Sequence, residues 1–532
     1  MAHVVVIGAG LGGLPAAYEL RHTLPREHRI TLISNQPKFT FVPSLPWVGL
    51  GLKSLDRIQL DLASIVPRHG IEFIHAAVTG IDPLSRQLTL GDRTLDYDYA
   101  VIATGPELAM DTLPGLGPEG GYTQSVCNPH HAVLASAAWE KFLANPGPIV
   151  VGAAPGASCF GPAYEFAFLI HHVLKQKGLR SQVPITFITA EPYAGHLGIG
   201  GMANSRWLMR KFMAMREIEL MENTAISHFA ADAVHLADGR TIPAKFVMVL
   251  PPFRGPRFLR EAPGLTDAKG FIPVLTTYRH PDFESIYAVG VITQLKAVES
   301  TPIPTGAPKV GLMSEEMALA VAHNLALELG VASGAQHRPT LQAICFANFG
   351  DTGVLFLADP LIPDASGQRH RSLTYHGIWV SWMKTGFEHY FLMKMRLGWT
   401  IPWFERWAFR TIGLPLVEPI GMTHIIERGI GMQCRIRKMF SRLLLLGAIV
   451  MGLFLGWGML HPPSAVAAIR QLEEAPGQMV YQSRQTLQDQ HGSGWQTVAF
   501  KRIRPDGQAS FELRLVGFPG GGNRSYPTAD LN

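Results

Sequence analysis

Cysteine is scarce in this chain, with four residues in 532, at positions 127, 159, 345 and 434. No two are spaced as CxxC, which leaves zinc and iron–sulfur frameworks without support, and no metal ion is expected. None precedes Cys127, which excludes a CxxxxC redox pair near residue 40. Charge is thin as well: 16% of residues are Asp, Glu, Lys or Arg, against ~25% in an ordinary soluble domain. A chain that is 47% hydrophobic is not disordered along its length. Part of it prefers lipid or a very dry interior. The 54 glycines and 39 prolines follow no period, which excludes collagen. The length calls for two or three domains.

The net charge of +5 is unevenly placed. Residues 369–442 hold 12 Lys and Arg against 4 Asp and Glu, and five of the ten tryptophans fall there (Trp379, Trp382, Trp399, Trp403, Trp407). Basic residues mixed with Trp suit an anionic membrane surface better than nucleic acid, because Trp partitions to the lipid interface. The N-terminus runs directly into a strand, with nothing there that directs export.

Residues 3–13 read HVVVIGAGLGG, with a helical pattern over 14–20 and a second buried strand at 29–34 (RITLIS). This is the βαβ dinucleotide fingerprint, with Gly8 for the tight turn, Gly10 for close approach of a pyrophosphate and Gly13 for helix–strand packing. The phosphates then sit on the helix N-terminus. Where an acidic residue usually binds the ribose, this chain offers Ser34 and Asn35. Two later strands end on glycine, YDYAVIATGP with Thr104 and Gly105, and SIYAVG with Gly290. Both resemble flavin motifs of the two-dinucleotide-domain flavoproteins, although Val291 follows Gly290 where that family usually has Asp. FAD is the expected cofactor. A second strand–turn–helix starts at Pro148, with Ala154 and Ala157 in place of glycines and Cys159 where the helix begins. Side chains there crowd a pyrophosphate, so NADH use is disfavoured.

The expected fold is α/β. Residues 1–115 and 265–330 form a discontinuous FAD-binding domain around a second Rossmann-like domain at 116–264. A C-terminal membrane-binding region follows at 331–430. Within it, residues 377–397 and 402–412 space their aromatics as interfacial amphipathic helices, dimer packing being the alternative. Residues 443–460 carry no charge over 18 positions, about 27 Å of helix against a ~30 Å hydrocarbon core. Arg435, Arg437, Lys438 and Arg442 precede this run, and a small-residue stretch, SAVAA, follows it. The segment 431–468 therefore reads as a transmembrane or signal-like helix, and 469–532 as a small, mostly β appended domain. The positive-inside rule puts the catalytic portion on the cytoplasmic side.

The thiols lie far apart: Cys127 in SVCNPHHA, Cys159 in GASCFGPAYEFA and Cys345 in ICFANFGDTG. At a helix start, the dipole is expected to lower the Cys159 pKa. With FVPSLPWVGLG (41–51), ATGPELA (103–109), ITAEPYAGHLGIGG (188–201), TPIPTGAPKVG (301–311) and KTGFEHYF (384–391), these stretches resemble the sulfide:quinone oxidoreductases, over roughly residues 1–420. Those are membrane-associated flavoproteins that oxidise sulfide and pass electrons to quinone.

The resemblance implies that Cys159 and Cys345 form a disulfide or sulfur bridge at the flavin. Sulfide attack then leaves a persulfide on Cys159 and frees Cys345 to pass the electron pair on. It makes Cys127 an auxiliary thiol in growth or release of polysulfur, Glu165 a proton carrier, and His131 and His196 residues of the sulfide entrance. It implies further FAD contacts at Pro43, Val78 and Gly311. Quinone is placed against Phe346, Lys384, Phe387 and Phe404, the last where a tyrosine is usual. Sulfide, membrane quinone and the bilayer are the expected partners, nucleic acid is not one, and a homo-oligomer is allowed. The competing readings are a type II NADH:quinone oxidoreductase, a flavocytochrome c-type sulfide dehydrogenase and a non-catalytic flavin redox sensor.

Overall fold

A computed structural model of the chain describes residues 1–363 and 369–421 and, further on, the backbone of three strands. By internal contacts the chain divides into two units, 1–425 and 426–532.

In the first unit a five-stranded parallel sheet runs in the order Ile286–Ala288, Tyr99–Ile102, His3–Ile7, Arg29–Ser34, Glu72–His75. The β-branched run Val4–Val6 is fully buried at its centre, as expected of a parallel strand covered on both faces. Helices Gly13–Thr23 and Gly311–Glu328 pack together against this sheet. The helix expected over 14–20 thus starts one residue earlier and runs three further.

A second parallel sheet has the order Ile218–Met221, Ile185–Thr189, Ile149–Ala153, Phe246–Leu250. Helices Pro129–Ala144 and Gly161–Gln176 flank it. The chain then forms a three-stranded antiparallel sheet, Ala343–Asn348, Gly353–Asp359 and Arg371–Gly377. That sheet feeds directly into the 19-residue helix Ile378–Arg396 and the shorter Trp403–Thr411, close to the spans read from the aromatic spacing.

In the second unit, Met479–Gln488, Gly494–Ile503 and Ala509–Gly517 form an antiparallel three-stranded sheet, in line with the β character expected of the tail. Among the described residues no helix is long and apolar enough to cross a membrane. The uncharged run 443–460 and Cys434 lie outside the described residues.

Candidate functional site

The three glycines of the first turn divide their work as the motif requires. Gly8 has φ +103°, and a Cβ there would sit 2.4 Å from the Ala103 carbonyl oxygen; a Cβ on Gly13 would sit 1.8 Å from that of Gly8. Both positions are closed to any side chain by backbone. A Cβ on Gly10 meets nothing within 4 Å. That open side, at the start of a helix, is the space a pyrophosphate needs.

The other flavin motifs converge on the same point. Gly12 stands 3.6 Å (from an ideal Cβ) from the Gly290 Cα, and Gly311, which opens a helix, is 3.5 Å from Leu11. Gly8 backs onto Ala103–Thr104, and Gly105 takes φ +68°. Ser34 is buried and its hydroxyl accepts from the Gln36 amide at 3.1 Å, while Asn35 is exposed. Pro43 is exposed in a short 3₁₀ turn, and Val78 packs on the core beneath the first sheet. The sequence pattern did not single out Lys309. Its ammonium donates to the Val291 carbonyl at 2.7 Å and sits 4.4 Å over the Phe271 ring. Burial pushes its pKa down to about 7, with Asp267 working against that.

The second nucleotide turn is occupied by the chain itself. The Gly156 amide donates to the Pro304 carbonyl (2.7 Å), and the Gly306 amide donates to that of Ala157 (2.9 Å). Ala154 and Ala157 are fully buried. Loop 301–307 therefore lies along the turn where the phosphates of a second dinucleotide would pass.

Three thiols from three loops and strands meet beside this turn. Cys345 lies on the strand Ala343–Asn348, Cys159 just before the helix Gly161–Gln176 and Cys127 just before Pro129–Ala144. All three are free thiols. The charge on Cys159 bears on both of the others, raising the pKa of each. One expectation is overturned here. Cys159 stands ahead of the N-cap Phe160 rather than inside the first turn. Burial pushes its thiol up to about 11, against a smaller lowering by a hydrogen bond from the Gly161 amide. Burial likewise pushes Cys127 and Cys345 up to about 12. Desolvation outweighs the helix dipole, whose effect falls off within the first turn.

Glu165 and Lys384, read as a proton carrier and a quinone contact, form one buried ion pair. The ammonium donates to the carboxylate at 2.5 and 2.6 Å, and both side chains are nearly inaccessible. Glu165 also accepts the Asn348 amide at 3.3 Å, three residues from Cys345. Burial raises the Glu165 pKa, and Lys384 opposes it. The same lysine charge lowers the Cys345 pKa against the larger effect of burial. Trp47, which the sequence did not single out, lies between two cations, its ring 4.4 Å from the Lys53 ammonium and 5.1 Å from that of Lys384. Lys53 in turn donates to the buried Glu388 at 2.5 Å, and Ser44 donates to the same carboxylate.

Phe346 follows Cys345 on its strand and so faces the opposite side of the sheet. Its ring is 5.8 Å from Phe387, which also meets Phe41 (6.1 Å) and Phe391 (6.0 Å). Phe404 is placed elsewhere. It packs on Tyr390 (6.4 Å) and Trp403 (5.9 Å), on the exposed rim rather than in the Phe346–Phe387 cluster.

The two histidines are separate. His131 is buried in the first turn of a helix whose Asn128 cap accepts its amide at 2.8 Å, and its Nδ1 has no partner among the described residues. His196 is buried against Glu299 at 2.6 Å, in a loop held by Glu191. That carboxylate accepts from Tyr164 Oη (2.6 Å), Thr189 Oγ1 (2.8 Å) and the Leu197 amide (2.6 Å). Burial pushes Glu191 up to about 7 against those hydrogen bonds. Among the described residues no group of His, Cys, Asp and Glu could hold a metal ion.

The pyridine nucleotide-disulphide oxidoreductase family matches residues 2–307, and a family described as protein of unknown function (DUF3122) matches 467–528. The chain is 41% identical over 442 residues to the sulfide-quinone reductase of Aquifex aeolicus, covering 81% of this chain and 99% of that protein. The X-ray structure of the sulfide:quinone oxidoreductase from the same bacterium superposes with a TM-score of 0.76 at 40% identity, over 80% of this chain and 98% of that one. NDH2 from Plasmodium falciparum in complex with NADH shares the fold alone, at TM-score 0.57 and 13% identity, over 78% of this chain and 99% of that one. With its glycine turns, thiols and aromatic cluster in one unit, the chain belongs to the pyridine nucleotide-disulphide oxidoreductases and, within them, to the sulfide:quinone oxidoreductase family.

Proposed function

We propose that the protein oxidises sulfide to polysulfide or sulfur and reduces a membrane quinone. One observation carries this reading: Cys159 and Cys345, 186 positions apart in the sequence, are held as interacting thiols next to the buried Lys384–Glu165 pair.

The residues fit FAD, since Gly10 leaves open the space that Gly8 and Gly13 close on either side, with Thr104, Gly105, Gly290 and Gly311 around the same turn. When bound, FAD accepts the electron pair from sulfur chemistry and hands it to quinone. The chain supplies the rest. In the oxidised state Cys159 and Cys345 are bridged. HS⁻ attacks Cys159 Sγ, the new S–S bond makes a persulfide there, and the bond to Cys345 breaks, leaving that sulfur with the electron pair. Lys384 favours the thiolate so formed. Glu165, buried and raised in pKa, is suited to take or give the proton. Cys127 receives sulfur as the polysulfur chain grows or is released, and His131 and His196 belong to the sulfide entrance. Phe346 and Phe387 hold the quinone ring, with Lys384 beside it and Phe404 further out along the tail's path.

The type II NADH:quinone oxidoreductase reading needs an open second nucleotide turn, which Pro304 and Gly306 fill. One spectroscopic test separates the proposed reaction from the flavocytochrome-type and redox-sensor readings as well. Sulfide added anaerobically should bleach the flavin absorbance and decylubiquinone should restore it over many cycles. Bleaching by NADH with sulfide inert, or a single reduction without quinone turnover, would defeat the proposal.

The domain boundaries read from the sequence stand as part of this proposal. So does a monotopic placement on the cytoplasmic side of the membrane. The helices Ile378–Arg396 and Trp403–Thr411 expose Trp382, Trp403 and Trp407, at 64, 80 and 55%, which suits insertion at the lipid interface. The run 443–460, outside the described residues, is read from its sequence as the spanning segment, which would put residues 469–532 on the far side. Protease added to intact spheroplasts should digest an epitope in that tail and spare one in the catalytic portion; the reverse pattern would overturn the orientation.

A further inference from the structure

A cavity of about 270 Å³ opens between the first helix and the turn at residues 67–70, and it is lined by Tyr18, Arg21, His22, Arg26, Arg68 and His69. Among the described residues no carboxylate lines it. The basic groups press on one another: Arg26 lowers the pKa of Arg21, after burial, and His22 and Arg68 do the same to His69. Arg21 is fixed by donating to the carbonyls of His28 (2.9 Å) and Leu24 (2.7 Å), so it cannot swing away. Among the described residues, His69 Nε2 is buried without a partner. Of the carboxylates of this stretch, Glu19 touches one lining residue, His22, without lining the cavity itself. Glu19 accepts from Arg406 at 2.8 Å and lies 3.9 Å from His22, and Glu27 lies 3.8 Å from His28. Arg26 and Arg68, which have no ion pair among the described residues, put like charges around one hollow, an anion site waiting for its counter-charge.

The place of the cavity says which anion. Its floor is bolted to the aromatic surface proposed above to lie at the membrane. Tyr18 Oη donates to the Met395 carbonyl at 2.8 Å, and the Gly398 turn packs so tightly on the His69 ring that a Cβ there would be 2.5 Å away. Thr400 Oγ1 reaches the Pro15 carbonyl at 3.4 Å. Beyond that floor, Leu397, Trp399, Trp403 and Trp407 are exposed. A basic hollow beside exposed tryptophans matches a phospholipid at the interface, with its acyl chains under the rings and its head group at the rim.

We infer that this cavity binds the phosphate of an anionic phospholipid, chiefly through Arg26 and Arg68. The inference rests on the membrane-surface reading of the two C-terminal helices. It adds to that reading a defined head-group site, distinct from the diffuse attraction of the basic stretch 369–442. Arg26 and Arg68 are exposed and lie outside the flavin and sulfur machinery.

The test is flotation of the FAD-loaded full chain in 150 mM salt. Vesicles of phosphatidylcholine alone are compared with vesicles containing 30 mol% phosphatidylglycerol, for the wild type and for Arg26→Ser/Arg68→Ser. The wild type should prefer the anionic vesicles, and the double variant should lose about 30-fold of that partitioning, as expected for two basic side chains at a charged surface. Binding to phosphatidylcholine, and bleaching of the flavin by sulfide, should not change. A double variant with its full anionic preference would overturn the inference and leave the membrane reading intact, whereas a wild type that floats with neither vesicle would overturn both. Inorganic phosphate is the second probe. Millimolar phosphate that raises the melting temperature through these arginines, with no effect of the substitutions on vesicle preference, would reassign the site to a soluble anion and refute the lipid.

Discussion

Alanine at Gly10 and alanine at Gly13 should fail in opposite ways, although both replace a glycine of the same turn. At Gly13 the new methyl would sit 1.8 Å from the Gly8 carbonyl oxygen and 3.0 Å from the Ala103 Cβ. The backbone would have to move by more than 1 Å, so Gly13→Ala should destabilise the unloaded protein by about 3 kcal/mol or more, the severe end of overpacking. At Gly10 nothing stands within 4 Å of the methyl, and Gly10 is not one of the left-handed glycines. Alanine there costs the unloaded fold nothing, and the loss of unfolded-state freedom stabilises it by about 0.4–1 kcal/mol. The methyl instead occupies the ligand's side of the turn. With FAD at 100 times the wild-type Kd, bound cofactor stabilises the wild type by about 2.7 kcal/mol, and a site weakened a hundredfold keeps about 0.4 kcal/mol of that. Thermal melts with and without FAD, alongside quenching of flavin fluorescence on reconstitution, separate the two cases. The reasoning is refuted if Gly10→Ala binds FAD within about threefold of wild type, or if it melts well below wild type without FAD.

Cys159→Ala and Cys345→Ala should each remove most sulfide-dependent quinone reduction while keeping FAD, and Cys127→Ala should be milder; equal and complete loss at Cys127 would show the roles misassigned. In the reduced protein, Cys159 should react with iodoacetamide about 100-fold more slowly at pH 8 than an exposed thiol, because its pKa stands at about 11 rather than 9.0; mass-spectrometric rates against pH check this. The same thiols hold their protons more tightly folded than unfolded, so their contribution to stability is intact below pH ~9 and is lost as the pH rises toward 11–12. Melting temperatures should fall across that window, less steeply in a triple Cys→Ala variant. Lys384→Met should cost about 3–5 kcal/mol by stranding the Glu165 carboxylate, and Lys384→Met/Glu165→Leu should recover most of it. A double variant no more stable than the single one would show that the pair is not what holds this interface.

The glycine turns were legible because their logic is local. A β-branched strand, a turn and a helix start lie within some twenty residues, and the backbone closes Gly8 and Gly13 to side chains while leaving Gly10 open. The amphipathic spans 377–397 and 402–412 came from periodicity alone and fall on the helices Ile378–Arg396 and Trp403–Thr411 within a residue. Cys159 shows where local reasoning ends. The helix dipole can be read from sequence, but the desolvation that outweighs it comes from the fold packed around the thiol. Phe404 shows a related limit, since spacing put it on an aromatic face without saying that its ring would pack on Tyr390 and Trp403.

What stayed hidden was pairing across long separations. Glu165 and Lys384 were each singled out, one on the sulfur side and one on the quinone side, yet they are a single ion pair spanning 219 positions. Nothing in either local motif specifies that contact. Lys53 and Glu388, 335 positions apart, form a second such pair with Trp47 wedged against both lysines. A neutral Lys384 would leave Glu165 charged in a dry interior, and a neutral Glu165 would leave the lysine so, hence losing either partner strands the other. That pair touches the Cys345 strand through the Asn348 amide and shares its helix with Phe387. A change of charge on the Cys345 sulfur is therefore felt on the helix that carries the quinone-side ring. In the proposed reaction, sulfur and quinone chemistry are joined through this pair as well as through the cofactor. Substitutions at Lys384 should accordingly disturb both half-reactions, whereas Phe387→Ala should disturb the quinone half alone.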